Sequence, residues 1–281
     1  MWHGYHVLDV HTHIGRIYIG YPKFTPRKLL KRMDELGIDE AVILPIENPE
    51  ETHYYSTTEY VLQAIRRYRD RLIPFCNVDP RRGNPGQFDP LPIIEEYVSR
   101  GCKGFGEALA GLPVDDPRLQ RIYEVVGDLG IPIIMHFDKY RNFDKVGFPR
   151  FERMVKKFSK TIFVGHGPHW WAEISADVKG EEAYGYPKGL VKAPGKVEYF
   201  LQKYPNVYAD LSANSGWNAL ARDPDHAKGF LERNRDKLLF GTDLLWEGQE
   251  VKILDFLESI EITSKTLEKI LFKNASRLLK L

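Results

Sequence analysis

Cysteine is scarce in this chain: 281 residues hold two, Cys76 and Cys102, each inside an apolar run. Placed there, they read as reduced packing residues, which leaves out a disulfide scaffold and a thiol site. The opening Met-Trp-His-Gly-Tyr-His has neither the basic segment nor the apolar run of a secretory signal, and no stretch approaches a membrane span. A cytoplasmic protein with no membrane role is therefore expected. Neither sign of charge is in excess, because 40 basic side chains face 39 acidic ones and leave a net +1. Such a balance provides no field for gathering nucleic acid or anionic lipid, so the expected partner is a small-molecule substrate, with a homo-oligomer left open. A dinucleotide loop is also missing, since Gly104-Phe105-Gly106 lacks the third glycine and the following helix.

What the chain does have is a large apolar share, 43% hydrophobic and 12% aromatic, arranged in short runs. Eight Val/Ile/Leu/Phe-rich runs begin near Val7, Ala41, Ile73, Lys103, Pro132, Ile162, Val207 and Leu238. Between them lie helical patterns with start and stop signals: Thr25-Pro26 to Leu36 before Gly37, then Thr57–Arg69, Leu91–Arg100, Pro117–Leu129, Pro149–Phe158, Pro194–Tyr204 and Asp225–Asn234. Strands apolar on both faces and alternating with helices pair in parallel, and eight of them close into a (β/α)8 TIM barrel of the α/β class. We expect a single domain over residues 1–281. Residues 168–193, rich in Trp, Tyr and Gly and without clear helical period, read as a long loop inserted after the sixth strand, a lid over the pocket or an oligomer contact. A helical tail from Leu267 brings Leu278, Leu279 and Leu281 to the barrel bottom.

Catalytic groups of such barrels stand at the carboxyl ends of strands. Two imidazoles at i and i+2, His11 and His13, close the first run and point the same way. Glu107 ends the fourth run, His136 the fifth, His166 the sixth and Asp243 the eighth. Burying four imidazoles and two carboxylates at the end of a core is costly unless something compensates them, and a divalent cation does so. His11, His13, Glu107, His136, His166 and Asp243 are accordingly the expected metal ligands. Zinc suits these donors, and manganese, iron and cobalt accept the same set, as one or two ions.

The Asp9-x-His11-x-His13 stretch, His136, the Gly-His-Gly around His166, the Phe-Gly-Thr-Asp ending at Asp243 and the final Asn-Ala-Ser-Arg-Leu-Leu-Lys-Leu from Asn274 resemble the amidohydrolase superfamily of metal-dependent barrel hydrolases. The likeness runs over essentially the whole chain. Its texture is similar to the amidohydrolase-2 group of lactone and amide hydrolases and non-oxidative decarboxylases. That resemblance implies a first metal on His11, His13 and Asp243. In two-metal members a middle-strand carboxylate bridges both ions and the strand-five and strand-six histidines hold the second, which would make Glu107 the bridge. In one-metal, decarboxylase-like members the strand-five histidine is a ligand, the strand-six histidine is a base, and no bridging glutamate is expected. Gly104 and Gly106 flank Glu107 with no bulk at the correct strand end, which favours two metals.

The resulting expectation is a hydrolase in which metal-activated water attacks an ester, lactone, amide or phosphoester. Asp243 is its proton carrier, and His166 is an alternative base. Arg16, Arg141, Trp171 and Trp217 follow strand ends and are the candidate substrate-binding residues. The second expectation is a metal-dependent decarboxylase of an aromatic or unsaturated acid, using one metal and arginine clamps. A binding scaffold without turnover is disfavoured by the complete ligand set, and a TatD-like nuclease by the lack of a basic stripe.

Overall fold

A computed structural model describes residues 1–281 except 51, 52 and 85. Eight strands fall at the eight apolar runs: β1 (Leu8–Thr12), β2 (Glu40–Ile43), β3 (Leu72–Pro74), β4 (Phe105–Ala108), β5 (Ile133–His136), β6 (Phe163–His166), β7 (Val207–Asp210) and β8 (Leu238–Leu239). All their pairings are parallel, in the orders β1-β2-β3 and β4-β5-β6-β7-β8. Single parallel bridges, Cys76 to Phe105 and Thr12 to Leu244, join the two sheets at both seams and close the ring. The fold is thus the expected α/β TIM barrel.

Leu8, Val10, Val42, Leu44, Ile73, Phe75, Ile134, Val164 and Leu239 pack together inside the ring with Ala275 and Leu279 of the C-terminal helix. The larger apolar layer lies between strands and outer helices. Helix signals act locally. Thr25 accepts from the Lys28 N–H at one end of helix Pro26–Leu36, and Gly37 closes the other in the left-handed conformation, φ +72°. Helix Pro117–Leu129 has the same plan, with Asp116 and Gly130 at its ends.

Three expectations change. Residues 168–193 are not irregular throughout: helix Pro168–Ala172 starts at once after β6, a 3-10 turn follows at Gly180–Tyr184, and Trp170 and Trp171 are buried in the core. The helix expected over 57–69 spans Thr58–Ala64, since the chain turns at Ile65–Tyr68 to enter β3. In the tail, Leu279 is buried and Leu278 packs against the same cluster as expected, but Leu281 is half exposed, and Ala275 takes its place at the barrel bottom. Helix Ala213–Ala221 starts at Ser212, whose hydroxyl turns to Asp210 instead of capping it, and helix Lys252–Ser259 follows Val251 with no capping side chain. Among the described residues no helix is long and apolar enough to cross a membrane.

Candidate metal centre

The strand ends bring the six candidate ligands together. His11 Nε2 and His13 Nε2 lie 3.1 Å apart. Glu107 Oε2 is 3.4 Å from each of them, and Asp243 Oδ1 is 3.6 and 3.3 Å away. The other oxygen of Glu107, Oε1, faces His136 Nδ1 at 3.0 Å and His166 Nε2 at 3.6 Å. The six form two ligand groups, His11/His13/Asp243 and Glu107/His136/His166, each with its donor atoms within 4.8 Å of one another, and His11, His166 and Asp210 make a third group within the same limit. Glu107 presents one oxygen to each.

The outward nitrogens of the imidazoles are all engaged. His13 Nδ1 meets the Leu44 carbonyl oxygen at 2.9 Å; a carbonyl only accepts, so Nδ1 carries the proton and Nε2 of the neutral ring offers its lone pair inward. His11 Nδ1 meets Asp210 Oδ2 at 2.6 Å. His166 Nδ1 lies 3.0 Å from the Ser212 hydroxyl and 3.2 Å from the same Asp210 oxygen. His136 Nε2 lies 3.2 Å from Asp138 Oδ2. Two lone pairs facing each other among buried carboxylate oxygens repel unless a proton or a cation sits between them, so this donor set fits divalent cations.

Electrostatics agree. Burial pushes the His11 imidazolium down, but Glu107, Asp210 and Asp243 lift it well above its usual range. His136, opposed by burial, is raised to about 10 by Asp138 and Glu107. Burial would raise the Glu107 carboxyl, yet His11, His13 and His136 hold it well below the usual carboxylate range. The cluster demands positive charge, and protons or metal ions can supply it.

Backbone supports set the ligand positions. Asp9 accepts from the His11 N–H (2.9 Å), the Thr242 N–H (3.0 Å) and the Thr242 hydroxyl (2.6 Å), which staples β1 to the chain after β8; burial raises its carboxyl to about 7. The Asn77 amide donates to the Glu107 carbonyl at 2.6 Å, and the Asn142 amide to Ala108 and His136 at 2.6 and 2.9 Å. Gly106 has φ +138°, and a Cβ there would lie 2.8 Å from the Ile134 carbonyl oxygen, so the residue before Glu107 has no room for a side chain. Asp243 is itself left-handed, φ +60°, and the Gln249 amide spans that turn by donating to Asp243 O (2.6 Å) and accepting from the Leu245 N–H (2.9 Å).

The cluster opens to solvent on one side, where the Asp243 and His136 side chains are 20% and 15% exposed while the other four ligands are buried. Asp243 lines a cavity of about 400 Å³ shared with Tyr186, Asn214, Trp246, Gln249 and Lys252. None of the four residues expected to bind substrate is among those lining this cavity. Arg16 stacks over the Tyr54 ring at 4.5 Å, and Arg141 binds the Asp138 carboxylate and the Glu50 carbonyl oxygen. Trp171 is buried and donates its indole N–H to the Asp210 carbonyl at 2.9 Å, because helix Pro168–Ala172 turns it into the core. Trp217 packs beneath Lys252, 4.7 Å from ring centre to Nζ. Sequence reasoning missed Asp210, Ser212 and Asp138. Asp210 ends the Val207-Tyr208-Ala209 run, so the strand-end rule that singled out the ligands applies to it equally.

Fold and site together define a parallel α/β barrel whose mouth holds a histidine and carboxylate cluster fit for divalent cations. The sequence profile of the amidohydrolase family matches residues 8–281, and the chain belongs to that family. The fold is shared with an amidohydrolase from Burkholderia multivorans with bound zinc (15% identity, TM-score 0.64, covering 98% of this chain and 99% of that one). It is shared also with a probable 2-pyrone-4,6-dicarboxylic acid hydrolase from Acinetobacter baumannii with citric acid bound (16%, 0.63, 98% and 99%). A 2,6-dihydroxybenzoate decarboxylase from Rhizobium is similar too (14%, 0.61, 98% and 99%). The curated proteins give no match to the chain.

Proposed function

We propose that this chain is a cytoplasmic metal-dependent hydrolase that cleaves an ester, lactone, amide or phosphoester bond of a small molecule, with two divalent cations, zinc by preference, held at the barrel mouth. The observation that carries the reading is the division of Glu107, whose Oε2 faces His11 and His13 while Oε1 faces His136 and His166. His11, His13 and Asp243 would hold one ion and His136 and His166 the other, with Glu107 between them. Imidazole and carboxylate donors suit zinc, and the zinc-bound relative from Burkholderia supports that choice. Bound there, the ions would lower the pKa of a water toward about 7 and polarise the scissile group.

The chain's own residues supply the remainder. Asp243, the most exposed acid of the cluster, takes the proton of the attacking water on the oxygen turned away from His11 and His13 and returns it to the leaving group. Asp9 and Gln249 hold the Asp243 turn in place. Tyr186, from the segment after β6, lines the cavity together with Asp243, which supports residues 168–193 as a lid. Trp246 offers an apolar wall, and Lys252 is the cation among the lining residues.

Decarboxylation is the second reading, and the Rhizobium relative favours it. Against it stand Arg16 and Arg141, whose guanidiniums are turned to Tyr54 and Asp138 instead of forming a clamp at the cavity. Elemental analysis of freshly purified protein should find about two transition-metal ions per chain. A screen of lactones, esters, amides, phosphodiesters and aryl acids should then show hydrolysis products whose formation stops on chelation and returns with added zinc. Carbon dioxide release from an aryl acid with a single ion bound would overturn the proposal in favour of the lyase.

A further inference from the structure

Asp210 ends β7 with no exposed surface, and its carboxylate lies behind the metal-facing side of the cluster. Its Oδ2 is 2.6 Å from His11 Nδ1, 2.8 Å from the Ser212 hydroxyl and 3.2 Å from His166 Nδ1. Both imidazole contacts are on the nitrogen opposite the Nε2 that faces His13 or Glu107, so Asp210, compact as its own group with His11 and His166 is, stands behind these rings as seen from the other ligands. Of the two groups that the six strand-end ligands form, His11 belongs to one and His166 to the other. The carboxylate is itself fixed, since the Ser212 N–H donates to Oδ1 at 2.9 Å and the Trp171 indole N–H holds the backbone carbonyl. Gly241 leaves room for it: a Cβ there would lie 2.5 Å from Asp210 Oδ1.

We propose that Asp210 is a positioning residue for both halves of the centre at once, its Oδ2 keeping the proton of His11 on Nδ1 directly and, together with the Ser212 hydroxyl that donates to it, that of His166, so that both Nε2 lone pairs are aimed inward. This rests on the two-cation reading above. The other supports serve one half each: the Leu44 carbonyl holds His13, the Ser212 hydroxyl His166, and Asp138 His136. A carboxylate behind a metal-bound imidazole fixes its tautomer and strengthens it as a donor, and losing such a partner weakens metal binding by about 10- to 100-fold.

The test uses zinc itself, titrated in competition with a chelator into metal-free full-length protein. His136→Ala leaves the His11/His13/Asp243 group intact, and His13→Ala leaves the His136/His166 group. Asp210→Asn, added to each, should weaken zinc binding by about 10- to 100-fold in both backgrounds. Asp138→Asn should do so only in the His13→Ala background. An Asp210→Asn effect confined to one background, or under about twofold in both, overturns the proposal while leaving the two-cation reading standing. Unmutated protein that takes up one zinc ion or none overturns both. Because Asp210 is buried, a measurement on the unmutated chain stands beside the variants: nitrogen-15 spectra of the zinc-loaded protein should show His11 and His166 ligated through Nε2 with slowly exchanging Nδ1 protons. Ligation of either ring through Nδ1 overturns the assignment.

Discussion

Asp243 sits in the left-handed region four residues beyond the two-residue strand β8, and its carboxylate is the most solvent-open of the three acids nearest His11. A residue that both touches a cation and carries a proton should lose more turnover than metal when neutralised. Asp243→Asn is expected to lower kcat by at least about 100-fold with the circular dichroism unchanged and much of the zinc retained. Glu107→Gln addresses the division between the two groups. A neutral amide is a poor bridge between cations, so the variant should keep the ion on His11, His13 and Asp243 and lose the second, read as a fall from about two ions per chain to one. Unchanged stoichiometry would move the centre to the one-metal mechanism with His166 as base.

Helices and loops make their own contributions away from the centre. Helices Pro149–Lys157 and Lys196–Lys203 meet at Glu152, which accepts from the Tyr204 and Tyr199 hydroxyls at 2.5 and 2.9 Å and lies 3.1 Å from Lys156 Nζ. Burial would raise this carboxyl, but those partners bring it from 4.5 down to about 2. A carboxyl whose pKa is depressed by folding stabilises the protein above its unfolded value and loses that contribution as pH falls through the folded one. Denaturation midpoints measured between about pH 4.5 and pH 2 should therefore fall less steeply for Glu152→Gln than for the parent chain. The segment after β6 presents Tyr186 to the cavity. Tyr186→Ala should raise KM and leave zinc content unchanged, as expected of a wall residue that touches no ligand; a fall in zinc content would place it in the centre instead.

As a whole the barrel has two functional ends. Its mouth carries the buried charges, and its floor is closed by apolar side chains from the last helix, Ala275 and Leu279. The Asn274 amide secures that helix by donating to the Arg235 and Leu238 carbonyls at 2.7 and 2.9 Å. Leu279→Ala removes a side chain with 4% exposure from the floor and should cost about 2–5 kcal/mol, measured by denaturant titration. The two ends are separated by the packed interior, so zinc stoichiometry in the folded fraction should not change. If it did, floor and mouth would be coupled through the strands.

Much of this architecture was legible before any coordinates, because it depends on periodicity. Apolar runs separated by amphipathic helices mark β1 to β8, and Thr25, Gly37 and Asp116 act through hydrogen bonds to neighbours a few residues away, so their pattern is local. The strand-end position of His11, His13, Glu107, His136, His166 and Asp243 is local as well, and ring closure then brings them together. Distance and direction are not local. Arg16, Arg141, Trp171 and Trp217 also follow strands, yet Trp171 turns into the core and Arg141 pairs with Asp138, because those choices depend on how each loop packs. The role of Asp210 likewise rests on contacts across the barrel, 199 residues from His11 and 44 from His166 in sequence. Spacing along a chain can place a side chain at the mouth of a barrel, but which nitrogen of a ring meets which oxygen is decided by strands that are neighbours only after the ring has closed.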